Sequence, residues 1–400
     1  GPEINFGWEP QWILIKRSSA SEGWYVIDSM RGIVSGEDDR YLTVSSTASD
    51  DNFDFGRLTP TGFKLETSNQ LANADGSTYV YVAVRRPDGY VSKTPEFGTV
   101  GTDVFNTANY DSTAPAFNAN FAVDFAMFRR TTSSYDWRTS ARLIQTKYLK
   151  TNSVASETTE NDYVFDYNDG WNQQTGYANT EVSWMWKRHA GFDVVAYTPI
   201  KSGSGYEPIN HNLNKTPEMV WVKNRQDGGT NDQWAVYHKD LSGTPYNNAL
   251  HLNETKNINN ISNQQYYWGR AFTSQVFYVY NGQSRTGDQG KKYLAILFAS
   301  VDGISKVGSY TGNNTDRPSI NVGFQPRFII IKRSDGNDDW NVYDSVRGMG
   351  SGNDSRLKLN SNASQDTPDH ISLTSNGFDI ESDNDAVNGN GDNYIYYAHA

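Results

Sequence analysis

The 400 residues contain no cysteine, which excludes a disulfide scaffold, a thiolate metal site and a cysteine nucleophile, and leaves the compartment open. Charged residues are sparse at 20% and lean acidic: 35 Lys and Arg against 46 Asp and Glu give a net charge of −11. A nucleic-acid binder or an anionic-membrane protein would need clustered positive charge, so neither partner is expected. Long apolar runs are also missing. The longest, Tyr293-Leu-Ala-Ile-Leu-Phe-Ala299, is too short to cross a bilayer, and no charged-then-apolar signal segment precedes it, so a soluble chain without membrane insertion is expected. The chain opens Gly1-Pro2 without Met, which reads as the remnant of a cleaved expression tag; the natural N-terminus is expected to lie elsewhere.

What the chain does have is aromatics, with 11 Trp, 25 Tyr and 18 Phe, together with 34 Gly and many Asn, Asp, Ser and Thr residues. Aromatic and β-branched residues suit half-buried strands, and the small polar residues suit turns. The chain also repeats itself. Ile4-Asn-Phe-Gly7, Pro10 and Ile15-Lys-Arg-Ser18 recur as Ile320-Asn-Val-Gly323, Pro326 and Ile331-Lys-Arg-Ser334, each shifted by 316 positions. Asp28-Ser-Met-Arg-Gly32 matches Asp344-Ser-Val-Arg-Gly348 in the same register, Ser35-Gly36 matches Ser351-Gly352, and Tyr81-Val-Ala83 matches Tyr396-Tyr-Ala398 at 315. Two looser copies lie between, one around Phe121–Lys187 and one around Pro217–Ala299. The reading is four repeats of about one hundred residues, 1–88, 89–188, 189–300 and 301–400, with 1–188 and 189–400 as possible pairs. The first lacks a counterpart of Lys306-Val-Gly-Ser-Tyr-Thr-Gly312, so a further strand is expected upstream, whereas the last stops after its closing strand as a natural C-terminus would.

Within each repeat, apolar runs of strand length are separated by Asn/Asp/Gly/Ser clusters, which predicts an all-β fold of tandem β-sandwich modules, jelly-roll or concanavalin-like. Only Ser140–Lys147 could form a turn or two of helix, and its spacing suits a strand equally.

The strings Trp184-Met-Trp-Lys-Arg188, Ala190-Gly-Phe-Asp-Val-Val-Ala-Tyr-Thr198, Val222-Lys-Asn-Arg225 and Leu297-Phe-Ala-Ser-Val-Asp-Gly-Ile-Ser-Lys-Val-Gly-Ser-Tyr-Thr-Gly312 resemble a repeat region of bacteriophage tail-fibre proteins, from tailed phages of marine bacteria and cyanobacteria. The N-terminal half is similar through Ile15-Lys-Arg-Ser18 and Tyr79-Val-Tyr-Val-Ala-Val-Arg-Arg86. One departure is Tyr197-Thr-Pro-Ile200, where the resemblance would place a Gly-containing turn. The resemblance implies a virion protein of the phage tail, contacting a host cell-surface glycan or outer-membrane protein and other tail proteins. It implies a homotrimer in the full-length fibre, and no catalytic residue and no cofactor. Two alternatives stay open: a structural spacer or virion-surface decoration, and a polysaccharide hydrolase, whose paired carboxylates could hide among 46 acidic residues.

Four sets of residues invite a site. Asp28 and Arg31, repeated as Asp344 and Arg347, could be an oriented carboxylate, but recurrence favours a turn device in which Asp caps the turn, Arg pairs with it and Gly takes positive φ. Asp383, Asp385, Asn388 and Asp392 are oxygen-rich enough to be considered for Ca²⁺, although Val387 breaks the EF-hand pattern and a hairpin loop explains them as well. Six His residues show no metal-ligand spacing. Where repeats diverge, recognition is expected: the loops 168–177 and 259–270 put Trp171, Tyr266, Tyr267 and Trp268 among Asn and Gln, a combination suited to stacking on sugars, with core packing as the competing reading.

Overall fold

The computed structural model describes residues 1–85, 99–173, 180–314, 317–350 and 352–400. The division expected at 88/89, and Ser351 of the repeated Ser-Gly pair, lie outside them. The protein is all-β, built from antiparallel sheets paired as sandwiches; helix among the described residues is one turn at Asp385–Asn388 and a few 3-10 turns. The segment 140–147 divides: the strand Arg138–Ala141 runs into a 3-10 turn, Arg142–Ile144.

The fourth repeat shows the plan. A five-stranded sheet runs in the order Ser305–Thr311, Asn393–His399, Phe328–Arg333, Trp340–Asp344, Leu357–Lys358, and faces a three-stranded sheet of Ser319–Asn321, Gly377–Ile380 and Ile371–Thr374. The first repeat follows the same plan, with Tyr79–Arg85, Pro10–Arg17, Tyr25–Asp28, Asp39–Thr43 and Asp51–Phe53 facing Glu3–Asn5, Gly62–Leu65 and Gly56–Thr59, except that its Tyr79–Arg85 is an edge strand without a counterpart of Ser305–Thr311 and Asp51–Phe53 extends the opposite edge. The third follows with Phe192–Tyr197, Tyr293–Phe298, Met219–Asn224, Ala235–His238 and Leu250–His251, and the second with Phe105–Asn109, Glu181–Trp186, Phe125–Arg130 and Arg138–Ala141.

Because side chains alternate along a strand, each large sheet has an inner and an outer face. In the fourth repeat Ile329, Ile331, Tyr343 and Tyr396 point inward onto Ile320, Phe378 and Ile380. Phe328, Ile330, Val342, Ile395 and Tyr397 point the other way, yet they are buried too, in one core with Phe125, Trp184 and Trp186 of the second repeat and Phe192, Trp221 and Phe298 of the third. Ring contacts knit the three together: Trp186 to Phe192 at 5.7 Å, Phe298 to Tyr397 at 4.7 Å, and Phe328 to Phe105 at 5.3 Å.

Two sets of hydrogen bonds make this association a closed ring. The Trp137 indole of the second repeat donates to the Lys358 carbonyl of the fourth at 2.7 Å, Trp340 of the fourth to His251 of the third at 2.9 Å, and Trp234 of the third to Lys150 of the second at 2.8 Å. A buried cation beside each tryptophan does the same: Arg129 to the Ala363 carbonyl, Lys332 to Thr255 at 3.2 Å, and Lys223 to Val154 at 2.9 Å. Burial pulls both lysine ammonium groups down to about 8. Their hydrogen bonds to carbonyls satisfy groups that a dry interface would otherwise leave unpaired.

The first repeat lies outside the ring. Arg188 forks onto Glu9 at 2.6 and 2.8 Å and onto Asp193 at 2.7 Å, all buried, while Arg225 and Lys292 donate to the carbonyls of Ser35 and Gly36.

Candidate functional site

The structure puts three of the four sequence-selected aromatics in the interior, which corrects their reading as ligand platforms. Trp171 is fully buried, stacked on Phe117 and Phe165, with its indole donating to Ser183 Oγ at 2.9 Å. Tyr267 is buried with its hydroxyl 3.0 Å from His251 Nε2, and Trp268 packs against Tyr237 and Phe272. Of the polar neighbours that suggested a surface, Asn259, Asn260, Asn263 and Gln265 are exposed, whereas Gln264 serves the backbone, accepting from the Ala249 amide and donating to the Ile258 carbonyl. Residues 174–177 of the other loop lie outside the described residues.

Tyr266 alone is exposed, at 41%, and it has company. Its ring lies 5.0 Å from Tyr280, which lies 5.1 Å from Tyr206. Tyr206 and Tyr280 are opposite one another on the two-stranded sheet Tyr206–Asn210/Val276–Tyr280, and the next outward pair is Pro208 and Tyr278. The alternation is clean, since Glu207, Ile209, Phe277 and Val279 on the other face are buried. Arg270 lies over Tyr206 at 5.4 Å and Tyr278 at 5.7 Å. Gly269, at φ +59°, lets the Tyr206 ring lie against the chain; a β-carbon there would run into it. The result is a tyrosine-paved outer sheet face with a guanidinium at its rim, able to stack on flat apolar faces and to hydrogen-bond through its phenols.

The repeated Asp-Arg pair is local turn chemistry. Asp28 Oδ1 accepts from the amides of Met30 and Arg31 at 3.0 and 2.8 Å, Arg31 Nε bonds Oδ2 at 2.6 Å, and Gly32 takes φ +122°. Asp344 holds the Arg347 amide and guanidinium in the same way, and Gly348 takes φ +102°. A second repeated device carries no sequence string: Asp39 accepts from the amides of Val34, Phe55 and Gly56, and Asp354 from those of Gly350, His370 and Ile371.

Of the calcium candidates only Asp385 and Asp392 come near one another, both beside Gly389. Asp392 pairs with Arg333 at 2.6 Å, Asn388 is buried between Ser382 and Asn313, and Asp383 and Asp385 face solvent; the segment 385–388 is a helical turn rather than loop. No group of three or more acidic or His side chains suited to a metal occurs among the described residues.

Several spaces among the described residues could admit a ligand, one of them of about 280 Å³ and lined by Asp240, Tyr310, Asp335 and Tyr394. A polar cleft of about 450 Å³ between the first and second repeats is lined by Arg31, Glu37, Asp50, Asn52, Asn161 and Asp166, among others. A shallower one of about 340 Å³ is lined by Asn210, His211 and Asn212; His211 Nε2 faces the Thr273 carbonyl and its Nδ1 accepts from the Leu213 amide, so the ring is held by its own loop.

The profile of a family described as a domain of unknown function (DUF7483) matches residues 1–86 and 101–400. The chain belongs to that family. No curated protein and no solved structure matches it. In this DUF7483 chain the residues of the tyrosine face that sequence reasoning missed are Tyr206, Tyr278 and Tyr280, whereas Arg270 closes the loop 259–270 already singled out. Their signal was present as the alternation Val276-Phe-Tyr-Val-Tyr280, which places both tyrosines on one face.

Proposed function

We propose that the protein is a non-enzymatic segment of a phage tail fibre whose sandwich scaffold presents a host-surface recognition patch, with Tyr206, Tyr266, Tyr278, Tyr280 and Arg270 as its contact residues. The observation that carries this reading is the outward tyrosine row itself. Tyrosine gives rigid contact area with a hydrogen-bonding tip at low entropic cost, and an aromatic face with neighbouring polar groups suits a sugar ring or a protein loop. The buried acids support a scaffold role, since Glu9, Asp193, Asp39, Asp354 and Asp344 are all engaged with guanidinium groups or backbone amides.

The test is competition between the purified chain and intact phage for host cells. Tyr266→Ala combined with Arg270→Ala, both at exposed positions, is expected to abolish competition while the melting temperature stays unchanged; retained competition rejects the patch. The carboxylates of the polar cleft favour one second reading, hydrolysis of a host polysaccharide. Release of reducing ends from host capsule or lipopolysaccharide, lost on Asp166→Asn, would replace the non-enzymatic reading.

A further inference from the structure

The first repeat carries a copy of the face by which the other three associate, and among the described residues that face is largely exposed. Strand register makes the correspondence position by position. Trp12 faces Val84, as Phe328 faces His399; Leu14 faces Val82 and Val26, as Ile330 faces Tyr397 and Val342; Val26 faces Leu42, as Val342 faces Leu357. The ring's two polar marks recur as well. Trp24 stands 316 positions before Trp340, and Val44 donates its amide to the Trp24 carbonyl as Leu359 does to Trp340. Lys16 stands 316 positions before Lys332, and its ammonium turns back to the Glu22 carbonyl of its own repeat.

What differs is exposure. Phe328, Ile330, Val342, Leu357 and Tyr397 are buried, whereas Trp24, Leu42, Val44, Val80, Val82 and Val84 are between 38% and 61% exposed. Those six make up over half of the large exposed hydrophobics among the described residues, gathered on one sheet face. A soluble monomer rarely leaves so contiguous an apolar surface open, and a solvated face of an antiparallel sheet ordinarily carries polar residues.

We infer that three copies of this chain associate through the outer sheet faces of their first repeats, forming around a true threefold axis the ring that the second, third and fourth repeats form within one chain. The occupant is a second and third copy rather than an unrelated partner, because the same pattern of side chains already meets its own kind in the ring and does so cyclically. The Trp24 indole of each copy donates to the Thr43 carbonyl of the next, as Trp340 donates to His251, and Lys16 swings from Glu22 to a neighbouring carbonyl. A cyclic arrangement of three uses every face once and closes, so assembly stops there.

Light scattering on the size-separated 400-residue chain tests this. The expected mass is three times the 44.9 kDa of the chain. Val82→Lys with Val84→Lys alters two positions that are about half exposed in the single chain, so it leaves the circular dichroism spectrum and melting temperature of the monomer in place while reducing the mass threefold. Ile200→Lys, exposed on the third repeat, leaves the trimer intact. A wild-type monomer at the highest soluble concentration, a stable dimer, or a trimer that survives the double lysine variant would each overturn the inference. The outcome is independent of host binding, since no residue of the tyrosine patch is touched.

Discussion

The first and fourth repeats share four strands in the same order, the turn motif and long stretches of sequence, yet their outer faces meet different surroundings. In the fourth, Ile330 and Tyr397 are sealed by two other repeats; in the first, Leu14 and Val82 at the same places are not. The Asp-Arg turn follows the same division. Asp344 also accepts the Trp184 indole at 3.0 Å and Arg347 lies over that ring, whereas Arg31 lines the polar cleft. The difference teaches that one repeat is a two-sided unit: the inner face holds the sandwich together, and the outer face determines how sandwiches meet.

The sharpest way to break this comparison is to truncate matched tryptophans. Trp340→Ala removes a buried indole from the ring and is expected to destabilise the chain by about 3–5 kcal/mol in chemical denaturation. Trp24→Ala, measured on dilute monomer, is expected to cost about 1 kcal/mol or less; equal losses would mean that the two faces are equally packed. A smaller effect separates the lysines. Lys332→Met strands the carbonyls of Thr255 and Arg333 and should cost about 1–3 kcal/mol, since unmade buried hydrogen bonds carry that penalty. Lys16→Met should stay within about 0.5 kcal/mol, as expected at a partly exposed site.

Acid should also tell the repeats apart. Burial pulls His238 and His370 down to about 4 and His399 to about 3, against 6.5 when exposed. Between pH 6.5 and about 4 the unfolded chain therefore binds protons that the folded chain refuses, so stability falls as pH drops through that window. Residues 1–188 contain no histidine. Hydrogen exchange at pH 5 against pH 7 should accordingly show protection lost in the third and fourth repeats before the first; uniform loss would count against this assignment.

Much of the fold was legible because its causes are local. Apolar runs of strand length between Asn/Asp/Gly clusters place the strands, and a shift of 316, falling to 315 in the later strands, is enough to align the first repeat with the fourth. The Asp28 and Asp344 turns are legible for the same reason, since each carboxylate caps its own next residues. The ring was not legible, although a trace of it exists: Tyr293–Phe298 is apolar without alternation, as a strand buried on both faces must be. Trp171 and Trp268 misled because Asn and Gln beside them look solvent-facing, when such side chains equally serve the backbone of neighbouring loops. No feature of a single segment distinguishes those two uses.

Joining three ring members in one polypeptide has an effect beyond strength. Tethered faces meet at an effective concentration that dilution does not change, so the ring persists where a loose trimer would dissociate. It also frees the members from being alike. Met127, Trp221 and Ile330 occupy one position of the ring with three different shapes, and Phe105, Phe192 and Ser305 another. A symmetric trimer of separate chains shows the same loop three times, whereas this chain sets three unrelated loops around a shared hub. The tyrosine patch, present on the third member with no counterpart required on its neighbours, is what such asymmetry permits.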